Sequence, residues 1–133
     1  MKKVVISGST SLNEKAEFWK KYWEGAGYEV IDYPKQIPRE NFIELYEGVH
    51  KDFLKHITQA DILFLMNEDK NSINGYIGAG SFSELCFGIA QNTIYNKHIE
   101  IYILKMPDQK VQSYDEINIW LKLGKIKLFT QNE

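Results

Sequence analysis

Gly75-Tyr76-Ile77-Gly78-Ala79-Gly80-Ser81-Phe82-Ser83-Glu84-Leu85-Cys86-Phe87-Gly88-Ile89-Ala90 is a glycine-rich turn that runs without a break into an apolar-periodic segment. Phe82, Leu85, Cys86 and Ile89 recur at helical spacing, which predicts a helix from about Ser81 to Asn92. Gly75, Gly78 and Gly80 leave the backbone before it free to take positive φ or to approach a ligand closely. Glu84 is then expected in the first helical turn, beside backbone N–H groups that have no helical partner. Ser81 and Glu84 also fit a capping box, a purely structural use of both residues. Three glycines in the six residues before Ser81 exceed what a helix start requires, and they point to a small ligand between the carboxylate and the bare backbone. Just upstream, Asp61-Ile62-Leu63-Phe64-Leu65-Met66 is a continuous apolar run, the signature of a parallel strand buried on both faces. A strand, a glycine loop and a helix N-terminus in succession mark the place where open α/β sheets bind ligands.

Outward from this centre the chain alternates strand and helix. Lys3 to Ser7 reads as a first strand that ends in the turn Ser7-Gly8-Ser9-Thr10-Ser11. Phe18, Trp19, Tyr22, Trp23 and Ala26 then form one apolar face of a helix, with Ser11 and Glu14 in a capping-box pattern at its start. Tyr28 to Tyr33 reads as strand two, and Pro34 and Pro38 bracket the loop after it. A long helix is expected from near Arg39 to about Ile57, burying Phe42, Leu45, Tyr46, Val49, Phe53 and Ile57. The polar tract Asn67 to Asn74 is expected to be mobile. Ile99 to Leu104 supplies strand four, Tyr114 to Leu123 a last helix, and Ile126 to Phe129 a short fifth strand. Such alternation predicts right-handed crossovers and a three-layer, doubly wound α/β fold. Its parallel five-stranded sheet is expected in the flavodoxin-like (Rossmann-like) order 2-1-3-4-5, and the turns after strands one and three then flank one crevice.

The 133 residues suit one domain, 1–133, with no linker-like stretch. A net charge of -2 argues against a nucleic-acid polymer as partner, since such domains usually carry a basic face. Cys86 is the one cysteine and falls on the expected buried stripe, so neither an internal disulfide nor a cysteine metal cluster is available. No stretch reaches the roughly 20 apolar residues of a membrane span, and no signal peptide is evident. A cytoplasmic protein with a small-molecule partner and no membrane association is the expectation. His50 and His56 are six apart, not the four of a helical ligand pair, and His98 is isolated; all three read as surface residues, with no metal site and no cofactor. Trp19, Trp23 and Trp120 read as core.

The Ser7 to Ser11 turn offers hydroxyls and amides near a helix start, which suits a phosphate or another anion. Its structural reading is a polar turn with a capping serine. Glu84 would stand across the crevice from that anion subsite, where a carboxylate can serve as nucleophile, general base or acceptor for sugar hydroxyls. Tyr76 has no periodic partners, and either stacks on a base or closes the loop over the sheet edge.

The Ile62 to Leu65 strand together with Gly78-Ala79-Gly80-Ser81-Phe82-Ser83-Glu84-Leu85-Cys86-Phe87-Gly88-Ile89-Ala90 resembles the core of the nucleoside 2-deoxyribosyltransferase family, including relatives that hydrolyse deoxynucleoside 5'-monophosphates. The likeness covers nearly the whole chain in element order. It implies an enzyme of nucleotide metabolism, a transferase or hydrolase, in which Glu84 attacks the anomeric carbon, releases the base and passes the sugar to another base or to water. An oxocarbenium-like transition state is positive, so a close carboxylate suits it. A helix N-terminus would keep Glu84 ionised. Ser7, Gly8, Ser9, Tyr76, Gly78, Gly80 and Ser81, the residues of the two turns, are expected to bind substrate, Gly8-Ser9 resembling the serine-rich first turn of the monophosphate-hydrolysing relatives. Relatives carry an aspartate eight residues before the Asp61 position; Phe53 stands there, and Asp52, one residue off, is the candidate. Gly78 replaces the aspartate or serine that relatives place six residues before the nucleophile. Ser113 corresponds to a serine supplied by a neighbouring subunit, which implies a homodimer or higher homo-oligomer, with the long second helix as its interface.

Two other readings of the same crevice stand beside this one. A Toll/interleukin-receptor-like NAD hydrolase also places a glutamate beside serine and cysteine in a helix. A non-catalytic domain would bind a nucleotide signal there without turnover, a reading toward which Gly78 leans.

Overall fold

Alternation along the central strands sorts their side chains onto two faces, and the computed structural model of residues 1–130 bears this out; positions 131–133 of the expected domain lie outside the described residues. The strands are β1 (Lys3–Ser7), β2 (Glu29–Asp32), β3 (Ile62–Leu65), β4 (Glu100–Ile103) and β5 (Lys127–Leu128). They form one parallel sheet in the order β2-β1-β3-β4-β5, as expected. Helices α1 (Asn13–Gly25), α2 (Phe42–Gln59), α3 (Ala79–Tyr95) and α4 (Tyr114–Lys122) connect them. Val4, Ile6, Ile62, Phe64 and Met66 face α1, where Trp19 and Trp23 complete an aromatic-rich layer. Val5, Leu63, Leu65, Ile101 and Ile103 face the other way, against α2, α3 and the residues around α4. No helix among the described residues is long and apolar enough to cross a membrane.

Two packing details set the direction of side chains at the C-terminal edge of the sheet. At Gly88 a Cβ would come within 2.7 Å of Leu63 Cδ2, so the glycine lets α3 lie close on β3. Between β1 and β2 the register slips, Val4 pairing with Val30 but Val5 with Asp32. Ile31 is the extra residue, a β-bulge that turns Asp32 toward the α2 face.

Several local expectations are corrected. The first helix begins after Leu12 without a side-chain cap, and Ser11 bonds to Ser9 Oγ at 3.0 Å instead. α3 starts at Ala79, earlier than expected, which leaves no acidic residue in its first turn and places Glu84 in its second. Of the stripe expected on α2, only Phe53 and Ile57 are buried, while Phe42, Leu45, Tyr46 and Val49 are about two-fifths exposed. Eighteen helical residues span roughly 27 Å, against about 13 to 17 Å for strands of four or five, so one end of α2 overhangs the sheet. Cys86 is only partly buried.

The tract expected to be mobile is a built turn. Lys70 and Ile73 exchange both backbone hydrogen bonds, at 3.1 and 2.9 Å, across Asn71 and Ser72, whose φ values are +56° and +62°. Two central residues with positive φ make a tight two-residue hairpin. Buried Asn67 pins its base, donating to the carbonyls of Gly75 and Lys105 and accepting from the amides of Leu104 and Lys105. Asp69 accepts from the Gly75 amide, a bond that with Lys105 holds its carboxyl below the usual range. Gly75 itself has φ +63°, and a Cβ there would lie 2.7 Å from the Met106 carbonyl oxygen. Its absence of a side chain thus serves the loop.

Candidate functional site

Because β1 and β3 are neighbours, the turn after one and the loop after the other open at the same edge of the sheet. A cavity of about 310 Å³ lies there, bounded by those two segments, the start of α3, the turn after β2 and part of α2. Gly8, Ser9, Tyr76, Gly78, Gly80, Ser81 and Glu84, all expected from sequence, line it. Ser7 is buried behind them and reaches Glu84 directly. Asp52 and Ser113 are not brought to it. Asp52 is exposed on α2, one residue before Phe53, which does line the cavity. Ser113 precedes α4, and its Oγ is buried without a hydrogen-bond partner among the described residues.

Glu84 and Gly88 are four apart and share one face of α3. The close approach at Gly88 therefore aims Glu84 at the end of β1, where Ser7 Oγ donates to Oε1 at 2.5 Å. The carboxyl does not sit among the amides of the first turn. Burial pushes it up to about 7, against the Ser7 hydrogen bond, which lowers it, and with the negative charge of Asp32, which raises it further. Glu84 consequently exchanges its proton near neutrality, contrary to the expectation that a helix N-terminus keeps it ionised.

Sequence reading passed over several residues that the fold brings to the cavity or against its wall. Lys70 Nζ donates to Ser9 Oγ at 2.7 Å and stands 5.3 Å from the Tyr76 ring centre, so a cation and two hydroxyl-bearing residues, Ser9 and Thr10, share one end of the cavity. Phe53 contributes an apolar surface. Asp32 closes β2 inside the wall, and His56, expected at the surface, is half-buried with Nδ1 2.7 Å from Asp32 Oδ2. The available signal for Asp32 was a lone acid closing an apolar strand at the ligand-binding edge of the sheet. His50 lies against Tyr46, stacked at 5.1 Å, and lines the cavity, whereas His98 is exposed elsewhere.

No protein-family model matches the chain, and no curated protein sequence matches it. Among solved structures, a CMP N-glycosidase of Clostridium botulinum, BcmB, is similar with a TM-score of 0.61 and 13% sequence identity, over 99% of this chain and 94% of that one. At that identity the likeness is one of fold, and it extends across the whole α/β architecture described above.

Proposed function

We propose that this chain cleaves the N-glycosidic bond of a nucleoside 5'-monophosphate, with Glu84 as the nucleophile. The observation that carries the reading is Glu84 in the wall of the cavity, half-buried, held among the described residues by the Ser7 hydroxyl and able to give up its proton near neutral pH. The fold shared with a CMP N-glycosidase supports the same class of reaction. Ionised Glu84 attacks the anomeric carbon. The bond from that carbon to the base nitrogen breaks, its electron pair leaves with the base, and the base takes up a proton from solvent. A water, or a second base in a transfer, then displaces the glutamyl ester and restores the carboxylate. Ser7 keeps the carboxylate oriented through the first step.

Ser9, Thr10 and Lys70 are the groups that would receive the 5'-phosphate. Their hydroxyls donate, and the ammonium supplies the opposite charge on a hairpin whose backbone is fixed. Tyr76, beneath Lys70, would flank the sugar or the phosphate.

Release of free base from nucleosides, from nucleoside and deoxynucleoside 5'-monophosphates and from NAD tests this. Release from the monophosphates, lost by on the order of 10³-fold or more in Glu84→Gln, is the expected result. Release from NAD alone would assign NAD hydrolysis instead. Binding of nucleotides without release, with acceptor bases also supplied, would leave a binding domain.

A further inference from the structure

Asp32 is hydrogen-bonded to neither Ser7 nor Glu84 and touches the glutamate chemistry only through its charge, yet it belongs to the cavity wall. It is 6% exposed, at the end of β2, beside Tyr33, Pro34 and Ile37 and facing Val49 and Phe53 of α2. The bulge at Ile31 puts it there. Three donors surround its carboxylate. The Tyr33 amide at 2.8 Å and Lys35 Nζ at 3.2 Å converge on Oδ1, while His56 Nδ1 lies 2.7 Å from Oδ2. A carboxylate oxygen accepts about two hydrogen bonds. Oδ1 is therefore filled from the protein and Oδ2 keeps one acceptor direction, in a residue that opens on the cavity.

The two ends of the cavity differ in chemistry. β2 and β3 flank β1, so their ends are two strand spacings, roughly 10 Å, apart. Past β3 stand Lys70 and Tyr76, the ammonium bonded to a hydroxyl; past β2 stand Tyr33, Pro34 and Ile37 around Asp32, whose own charge is paired by Lys35.

We infer that Asp32 is a specificity-determining residue that accepts a hydrogen bond from an exocyclic amino group of the base, so that the site takes amino-bearing bases and rejects their keto counterparts. The inference rests on the reading that a nucleotide lies in this cavity with its phosphate at the Lys70 end. A keto oxygen in the same place would face a carboxylate with no proton between them, and neither acceptor could be satisfied. His56 is not part of the cavity wall; it acts on the ligand only through Asp32, as a positioning residue.

The test uses the full chain carrying Glu84→Gln to stall turnover, titrated calorimetrically with two matched pairs, CMP against UMP and AMP against IMP. Within any pair that binds, the amino member is expected to bind at least about tenfold more tightly. Adding Asp32→Asn, whose amide can donate to a keto oxygen, is expected to erase or invert that preference while ribose 5-phosphate binds as before, which also shows that the site is folded. As a measurement independent of that variant, the wild-type ratio of kcat/KM for base release within each pair should favour the amino member. Equal affinities within both pairs, a preference that survives Asp32→Asn, or no binding of any of the four would overturn the inference. Base release without an amino preference overturns it and leaves the N-glycosidase reading standing. An amino preference in binding, lost with Asp32→Asn, without any base release does the opposite.

Discussion

Glu84 and Asp32 line the same cavity, but among the described residues Glu84 accepts one hydrogen bond, from Ser7, whereas Asp32 is met by the Tyr33 amide, Lys35 and His56. Asp32 is buried and Glu84 half-buried, and the two differ in how many donors replace the lost water. Burial against a single donor disfavours the charged form, which is why Glu84 is pushed up to about 7. A carboxylate surrounded by three donors is instead a fixed acceptor, its geometry set from several directions. One cavity therefore contains a group suited to bond-making and a group suited to recognition. The comparison is broken most directly at Glu84. Its replacement by Gln should lower kcat by on the order of 10³-fold or more while nucleotide binding persists, because the amide keeps the acceptor for Ser7 but cannot attack carbon. A variant that retains turnover would remove Glu84 from the chemistry altogether.

The same substitution should stabilise the fold. Glu84 releases its proton at an ordinary value of 4.5 when unfolded and near 7 when folded. Between those two pH values the folded chain holds more of this proton than the unfolded chain does. Stability consequently falls as pH rises from about 4.5 to about 7, and stays lowered above that. The full penalty is about 3 kcal/mol as an order of magnitude. Denaturant unfolding of wild type and Glu84→Gln should give a difference that is small at pH 4.5, grows through pH 7 in favour of Gln and is flat by pH 8. A difference independent of pH would mean that Glu84 is solvated in the fold.

Much of this contrast is legible in the sequence on one side and hidden on the other. The glycine loop, the apolar run Ile62 to Met66 and the strand-helix alternation carry the sheet order, and the order alone makes the Ser7 turn and the Glu84 helix neighbours. The environment of Glu84 does not follow from its position near a helix start. It depends on α3 beginning at Ala79 and on Gly88 settling that helix against Leu63. Asp32 escapes because period-two alternation from Val30 assigns it to the α1 face, and a bulge, which leaves no mark in Val30-Ile31-Asp32, sends it to the other. Lys70 escapes because Asn71-Ser72 lacks the glycine that announces a two-residue hairpin, so a rigid turn has the composition of a loose one. On α2 the stripe from Phe42 to Ile57 has correct helical spacing, but spacing does not report where the sheet beneath it ends.

The subtlest test leaves both carboxylates' neighbours in place except one. If attack requires ionised Glu84, kcat/KM should rise with pH along a limb near 7. Ser7 holds that limb down, and Asp32 holds it up. Ser7→Ala should therefore move it to higher pH, by about one unit at most, costing up to about tenfold at pH 6 and little at pH 9. Asp32→Asn should move it the other way and by less, since the charge of Asp32 is the smallest of the three influences on Glu84. The two variants differ from wild type in opposite directions along one axis, a signature that general damage to the fold does not produce. A limb that stays fixed in both would place its proton on another group, and would separate the pH dependence of the reaction from the donors that distinguish these two residues.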